Sequence, residues 1–177
     1  MQKKHALRRL TGLLAAVLCL LPLFTVAASG ETAALPALDS ADAVYLLHAE
    51  SGRVVGRKSE NSRVPAGASV KLLSGLVACE RLGNSLDQTV TIREEMLVSG
   101  GQRYKLEVGE EYTLREILLL ALCGSYNDAY DVIASCVGNG GTAGTANFVA
   151  LLNARAVELG ATATYIGDPS GVGDNSH

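Results

Sequence analysis

A lysine amine one helical turn from a serine hydroxyl can drive acyl transfer, because residues i and i+3 share a helix face and the amine can take the proton as the hydroxyl attacks a carbonyl. In the run Ala68-Ser69-Val70-Lys71 the lysine is present, but the residue three before it is alanine. A methyl group has no oxygen to acylate. The nearest hydroxyl is Ser69, yet a step of two residues turns a helix by about 200°, which sends Ser69 and Lys71 to opposite sides unless the helix start is distorted. On a regular start, Ser69 is a first-turn residue satisfying a free backbone amide. Further on, Ser125-Tyr126-Asn127 offers a hydroxyl and an amide that can line a cleft, and that can equally cap a helix. The usual third side of such a site is a Lys-Thr-Gly strand that holds a substrate carboxylate, and none occurs before His177.

Other groups compete poorly for a chemical role. Glu94, Glu95, Glu110 and Glu111 form carboxylate pairs, but no apolar pocket surrounds them to raise a pKa, so they read as solvated charges. His48 and His177 lack the Ser and Asp companions of a triad, and Tyr126 is not a nucleophile candidate. Lys71 itself could be a solvated helix lysine, but its neighbours Val70, Leu72 and Leu73 are apolar, which favours a cleft position.

Lys3, Lys4, Arg8 and Arg9, then an apolar run over residues 10–26, then Val26-Ala27-Ala28, have the layout of a secretory leader, with an uncleaved anchor as the alternative. Its removal takes four of the 15 basic side chains and none of the 18 acidic ones, leaving 11 against 18 and a net charge of −7. That balance excludes a nucleic-acid-binding surface of the usual basic kind. Roughly 150 remaining residues suit one domain with a real core. Cys19 falls in the leader, and Cys79, Cys123 and Cys136 sit in apolar helical patterns, so they are expected to be buried thiols rather than a disulfide or zinc set.

The elements that would position these groups follow from periodicity. Residues 29–40 read as a linker. Residues 43–47 and 53–56 flank the turn Glu50-Ser51-Gly52 as a hairpin. After Pro65, Leu72, Leu73, Leu76, Val77 and Leu82 recur at helical spacing, predicting a mostly buried helix ended by Gly83-Asn84. Residues 89–92 read as a short strand before a polar loop through Gly100-Gly101. Thr113 with Glu116 predicts a capping box opening a helix over 114–122. Further helices are expected from Asn127 to about Val137, broken by Gly138-Asn139-Gly140-Gly141, and over 145–159, ended by Gly160. Thr164-Tyr165-Ile166 reads as extended and Asp168-Pro169-Ser170-Gly171 as a turn.

From Ala41 to His177 the order and spacing of these features resemble the serine-type D-alanyl-D-alanine carboxypeptidases, the low-molecular-mass penicillin-binding proteins. The resemblance rests on the opening hairpin, Arg63-Val64-Pro65 leading into Lys71-Leu72-Leu73-Ser74, Gly109-Glu110-Glu111-Tyr112-Thr113-Leu114-Arg115, Ser125-Tyr126-Asn127-Asp128-Ala129, Phe148 with Leu152-Asn153, and Glu158-Leu159-Gly160 before Asp168-Pro169-Ser170-Gly171. It implies an α/β, β-lactamase/transpeptidase-like domain over 41–177, here its helical part and opening β-hairpin with the C-terminal sheet strands missing, and hence a piece of a longer protein. It also implies an activity that trims D-alanine from peptidoglycan stem peptides through an acyl-enzyme, outside the cytoplasm at the bacterial cell wall. No metal or organic cofactor is implied. In an intact relative, a serine at position 68 would be the nucleophile, Lys71 its base, and Ser125 with Asn127 the proton relay and substrate contact. With Ala68, the alternatives are a non-catalytic binder of D-alanyl peptides and a truncated remnant. β-Lactams are expected partners only where a serine can be acylated. Nucleic acid is not an expected partner, and membrane attachment is expected only through an uncleaved leader or a C-terminal anchor.

Overall fold

A computed structural model describes residues 40–140 and 143–172. The leader (1–28), nearly all of the linker and His177 lie outside the described residues. The chain divides into two compact units, one ending at Glu60 and one beginning at Asn61.

In the first unit, β1 (Val44–His48) and β2 (Arg53–Lys58) form the expected antiparallel hairpin, with Val44 opposite Lys58 and a register shift between Leu46 and Leu47. Gly52 takes φ +66 in the turn, a conformation glycine adopts without a side-chain clash. His48 is exposed and its Nδ1 meets Ser51 Oγ at 2.9 Å, a contact within the turn.

The second unit is built around α3. Four helices are described here: α1 (Val70–Leu82), α2 (Leu114–Gly124), α3 (Asn127–Val137) and α4 (Gly144–Glu158). From Asn127 to Ser135 every residue of α3 is buried, and the helix packs against α1, α2 and α4. Tyr130, Ile133, Ile117, Val77, Phe148 and Leu152 fill the space between them. Helix α2 begins with the anticipated capping box: the Glu116 amide donates to Thr113 Oγ1 at 3.2 Å, and the Thr113 amide donates to Glu116 Oε2 at 2.8 Å. These hydrogen bonds hold the Glu116 carboxyl below its ordinary range.

A second two-stranded sheet, β3 (Thr89–Thr91) with β4 (Glu111–Thr113), brings together segments some twenty residues apart, a pairing beyond the single short strand expected at 89–92. Residues 164–166, expected to be extended, join no ladder. Asn153 on α4 holds them instead, accepting from the Ile166 amide at 2.9 Å and donating to the Ile166 carbonyl at 2.7 Å.

Two expectations about burial fail. Helix α1 is not mostly buried: Leu72 is 76 % exposed and Leu76 is also exposed, because Val70, Ser74, Val77, Ala78 and Leu82 face the other helices. Leucine recurring at helical spacing marks a helix, but does not say which leucines face the core. The thiols are free, yet Cys79 and Cys123 are exposed rather than buried, and only Cys136 is partly covered. Glu94, Glu95, Glu110 and Glu111 are exposed, as their reading as solvated charges requires.

Candidate active site

Three backbone segments of the second unit converge near the start of α1. The first is a tight turn over Gly67–Ser69 that runs directly into α1 and leaves Ala68 and Ser69 exposed. Ser69 Oγ donates to the Ala66 carbonyl at 2.5 Å. The expected role of satisfying a helix amide is therefore not the one adopted: the hydroxyl turns back to a carbonyl, and no side-chain cap is made. The second segment is the junction between α2 and α3. The third is the Asp168–Gly171 loop, whose Pro169 carbonyl accepts from the buried Ser74 Oγ at 2.6 Å. Gly171 has φ +72, and a Cβ there would collide with the Gly67 carbonyl, so only glycine lets this loop lie against the turn that carries Ala68.

Lys71 and Ser125, fifty-four residues apart, meet here. Lys71 Nζ donates to the Ser125 carbonyl oxygen at 2.7 Å and to Ser125 Oγ at 2.9 Å. It also lies 5.6 Å from the centroid of the Tyr130 ring, within cation–π range. Tyr130 in turn donates its hydroxyl to the Lys71 carbonyl at 3.2 Å, and burial pushes its phenol up to about 12. Ser125 sits in the left-handed region at φ 56, ψ 31, which costs a non-glycine residue about 1–2 kcal/mol. That geometry turns its carbonyl and hydroxyl together onto the lysine. It also disposes of the capping alternative, since the residue before α3 is Tyr126 and no side-chain cap is made.

Asn127 is only 2 % exposed. Its backbone amide donates to the Gln102 carbonyl at 2.8 Å and its Nδ2 donates to the Gly100 carbonyl at 2.6 Å, so the side chain pins a loop rather than touching Lys71 or Ser125. Its Oδ1 is buried without a partner. The loop is anchored further by two buried carboxylates one turn apart on α3. Asp128 accepts from the amides of Tyr104, Lys105 and Leu106 at 3.0, 2.8 and 3.1 Å. Asp131 accepts from the Val98 and Ser99 amides at 3.1 and 2.7 Å and from Ser99 Oγ at 2.6 Å. Burial raises the Asp131 carboxyl above its ordinary value, and those hydrogen bonds oppose the rise. Of these supporting residues, Asp128 belongs to the run Ser125-Tyr126-Asn127-Asp128-Ala129, whereas Asp131 and Tyr130 carried no signal beyond their helix.

Burial lowers the Lys71 amine from its ordinary 10.5, and the Asp168 carboxylate partly offsets this. In the unfolded chain Lys71 keeps its proton up to higher pH than in the folded one. Between the two values the unfolded state therefore binds more protons, and stability rises with pH. Relative to Lys71→Met, the parent chain is expected to gain stability in urea titrations as pH is raised towards the ordinary lysine value of 10.5. A flat difference across that window would mean that the amine is not desolvated.

The residue pattern that characterises the D-alanyl-D-alanine carboxypeptidases matches residues 29–177. The chain belongs to the D-alanyl-D-alanine carboxypeptidase family. It is 28 % identical over 140 residues to D-alanyl-D-alanine carboxypeptidase DacF of Bacillus subtilis, covering 77 % of this chain and 35 % of that one. It is 32 % identical over 123 residues to D-alanyl-D-alanine carboxypeptidase DacB2 of Mycobacterium tuberculosis, covering 70 % and 40 %. The crystal structure of a D-alanyl-D-alanine carboxypeptidase from Mycobacterium tuberculosis superposes with a TM-score of 0.65 at 28 % identity, over 77 % of this chain and 50 % of that one. The chain thus spans about two-fifths or less of these two curated carboxypeptidases. The fold is the α/β one anticipated, represented by the helical part of the carboxypeptidase domain. Among the described residues no helix is long and apolar enough to cross a membrane, and no group of three His, Cys, Asp or Glu residues is placed to hold a metal ion.

Proposed function

We propose that residues 41–177 form part of a carboxypeptidase-like domain, exported by the leader at 1–28 to the bacterial cell wall, whose cleft holds the D-alanyl-D-alanine end of a peptidoglycan stem peptide without cleaving it. The observation that carries this reading is the Lys71–Ser125 contact at 2.9 Å, together with an exposed methyl group at position 68, three residues before Lys71. Lys71 and Ser125 would supply polar contacts for the peptide, with Asn127 holding the loop beside them, while the Ala68 side chain has no lone pair with which to form an acyl-enzyme. Ser69 is a poor stand-in for the missing hydroxyl, because its Oγ is engaged with the Ala66 carbonyl.

The reading is tested by titrating a tripeptide ending in D-Ala-D-Ala, and its L-Ala-L-Ala counterpart, into the chain by calorimetry while assaying for free D-alanine. Saturable binding of the D-isomer alone is expected, with no D-alanine released and affinity reduced about tenfold by Lys71→Met, the loss typical of one hydrogen bond to a charged group. Release of D-alanine, or equal affinity for the L-peptide, would refute it.

A further inference from the structure

A cavity of about 650 Å³ opens beside the last turn of α1, and none of Ala68, Lys71, Ser125 or Asn127 lines it. It lies between the last turn of α1, the β3 segment and the C-terminal half of α3. Arg81 and Arg93 line it, and none of the residues lining it is acidic. Arg93 engages Glu95 through Nε at 2.7 Å, and its outer Nη2 nitrogen lies within 4 Å of where a Cβ on Gly140 would sit, so the far side of its fork faces the rim of the cavity. The wall between the arginines includes Ser135, which is 2 % exposed and whose Oγ has no hydrogen-bond partner. A hydroxyl buried without a partner is costly, and an oxygen supplied from the cavity would remove that cost. Burial raises the neighbouring Cys136 thiol, and the positive charge of Arg93 opposes the rise.

We propose that this cavity is a binding site for a small oxyanion-bearing molecule, a carboxylate or a phosphate, held by Arg81, Arg93 and the Ser135 hydroxyl. Guanidinium groups match the planar and tetrahedral oxygens of such ligands bidentately, and the volume leaves room for a short organic group beyond the charged end. Gln88, Thr89 and Asn139 at the same wall can take up further polar contacts. The site is independent of the peptide-binding cleft and does not rest on it.

Inorganic phosphate and succinate are titrated separately into the ¹⁵N-labelled chain at low ionic strength, following amide resonances. Saturable shifts confined to residues around Ser135, Asn139 and Gly140 are expected with at least one of the two, and which of them saturates identifies the preferred oxyanion. Arg81→Gln and Arg93→Gln should each weaken binding about tenfold, and Ser135→Ala less. Failure of both probes to saturate, or affinity unchanged in both arginine variants, would overturn the site.

Discussion

Ala68→Ser is expected to create a residue that benzylpenicillin acylates, seen as a single covalent adduct by intact mass on the full-length gene product, where the parent gives none. Position 68 is exposed in the turn that opens α1, one helical turn before Lys71. The Asp168–Gly171 loop lies against the Gly67 carbonyl, so the backbone presenting the new hydroxyl is already held. The serine proton would pass to the Lys71 amine, whose desolvation favours the neutral form, as Oγ bonds to the lactam carbonyl carbon. The ring C–N bond then breaks, and its nitrogen takes the proton back from Lys71. Removing a serine nucleophile from an enzyme of this general kind costs about 10⁶-fold in rate, so restoring one should raise acylation by about 10⁴-fold or more even in an imperfect site. Ser125→Ala in the same background should slow acylation without abolishing it. If Ala68→Ser gains no adduct, or if the parent is already acylated on Ser69, the alignment of position 68 with the nucleophile is wrong.

The largest expected loss of stability comes from Asp128→Ala. Its buried carboxylate terminates three consecutive amides of the loop over residues 104–106, with the Arg103 guanidinium at 3.8 Å. Removing the acceptor leaves those amides unpaired beside the core, a cost of about 3–4 kcal/mol by urea denaturation, limited by the loop's ability to detach and find water. Lys105 holds φ +73 in the middle of this set, a strained conformation that the carboxylate helps to hold. Detachment should also free the Gly100 and Gln102 carbonyls from Asn127, so exchange of the Tyr104, Lys105 and Leu106 amides should accelerate before global unfolding. Asp128→Asn, which keeps one acceptor oxygen, should lose about half as much. A change below about 1 kcal/mol for the alanine variant would show that the loop does not depend on this carboxylate.

The helices were legible because what specifies them is local. The Thr113–Glu116 capping box and the glycine breaks after Leu82 and Val137 act within a few residues, and the structure places helix ends close to each of them. The hairpin was legible for the same reason, with strands four residues apart across a turn that admits positive φ. The β3–β4 pairing was not, since a three-residue strand carries little signal and its partner lies beyond a long loop. Nor was the burial of Asp128 and Asp131, because a carboxylate is assumed to face water until an array of amides is brought to it from elsewhere in the chain.

By itself the sequence determined the helix boundaries, the opening hairpin and the absence of an oxygen at position 68, since each depends on residue identity and near-neighbour spacing. Only the tertiary structure decided that Lys71 meets Ser125, that Ser125 adopts a left-handed turn, that Asn127 holds a loop rather than the lysine, and that Leu72 and Cys79 face outward. Those outcomes depend on contacts between residues far apart along the chain, where the cost of burying a polar group or straining a backbone is set by whatever partner the fold delivers.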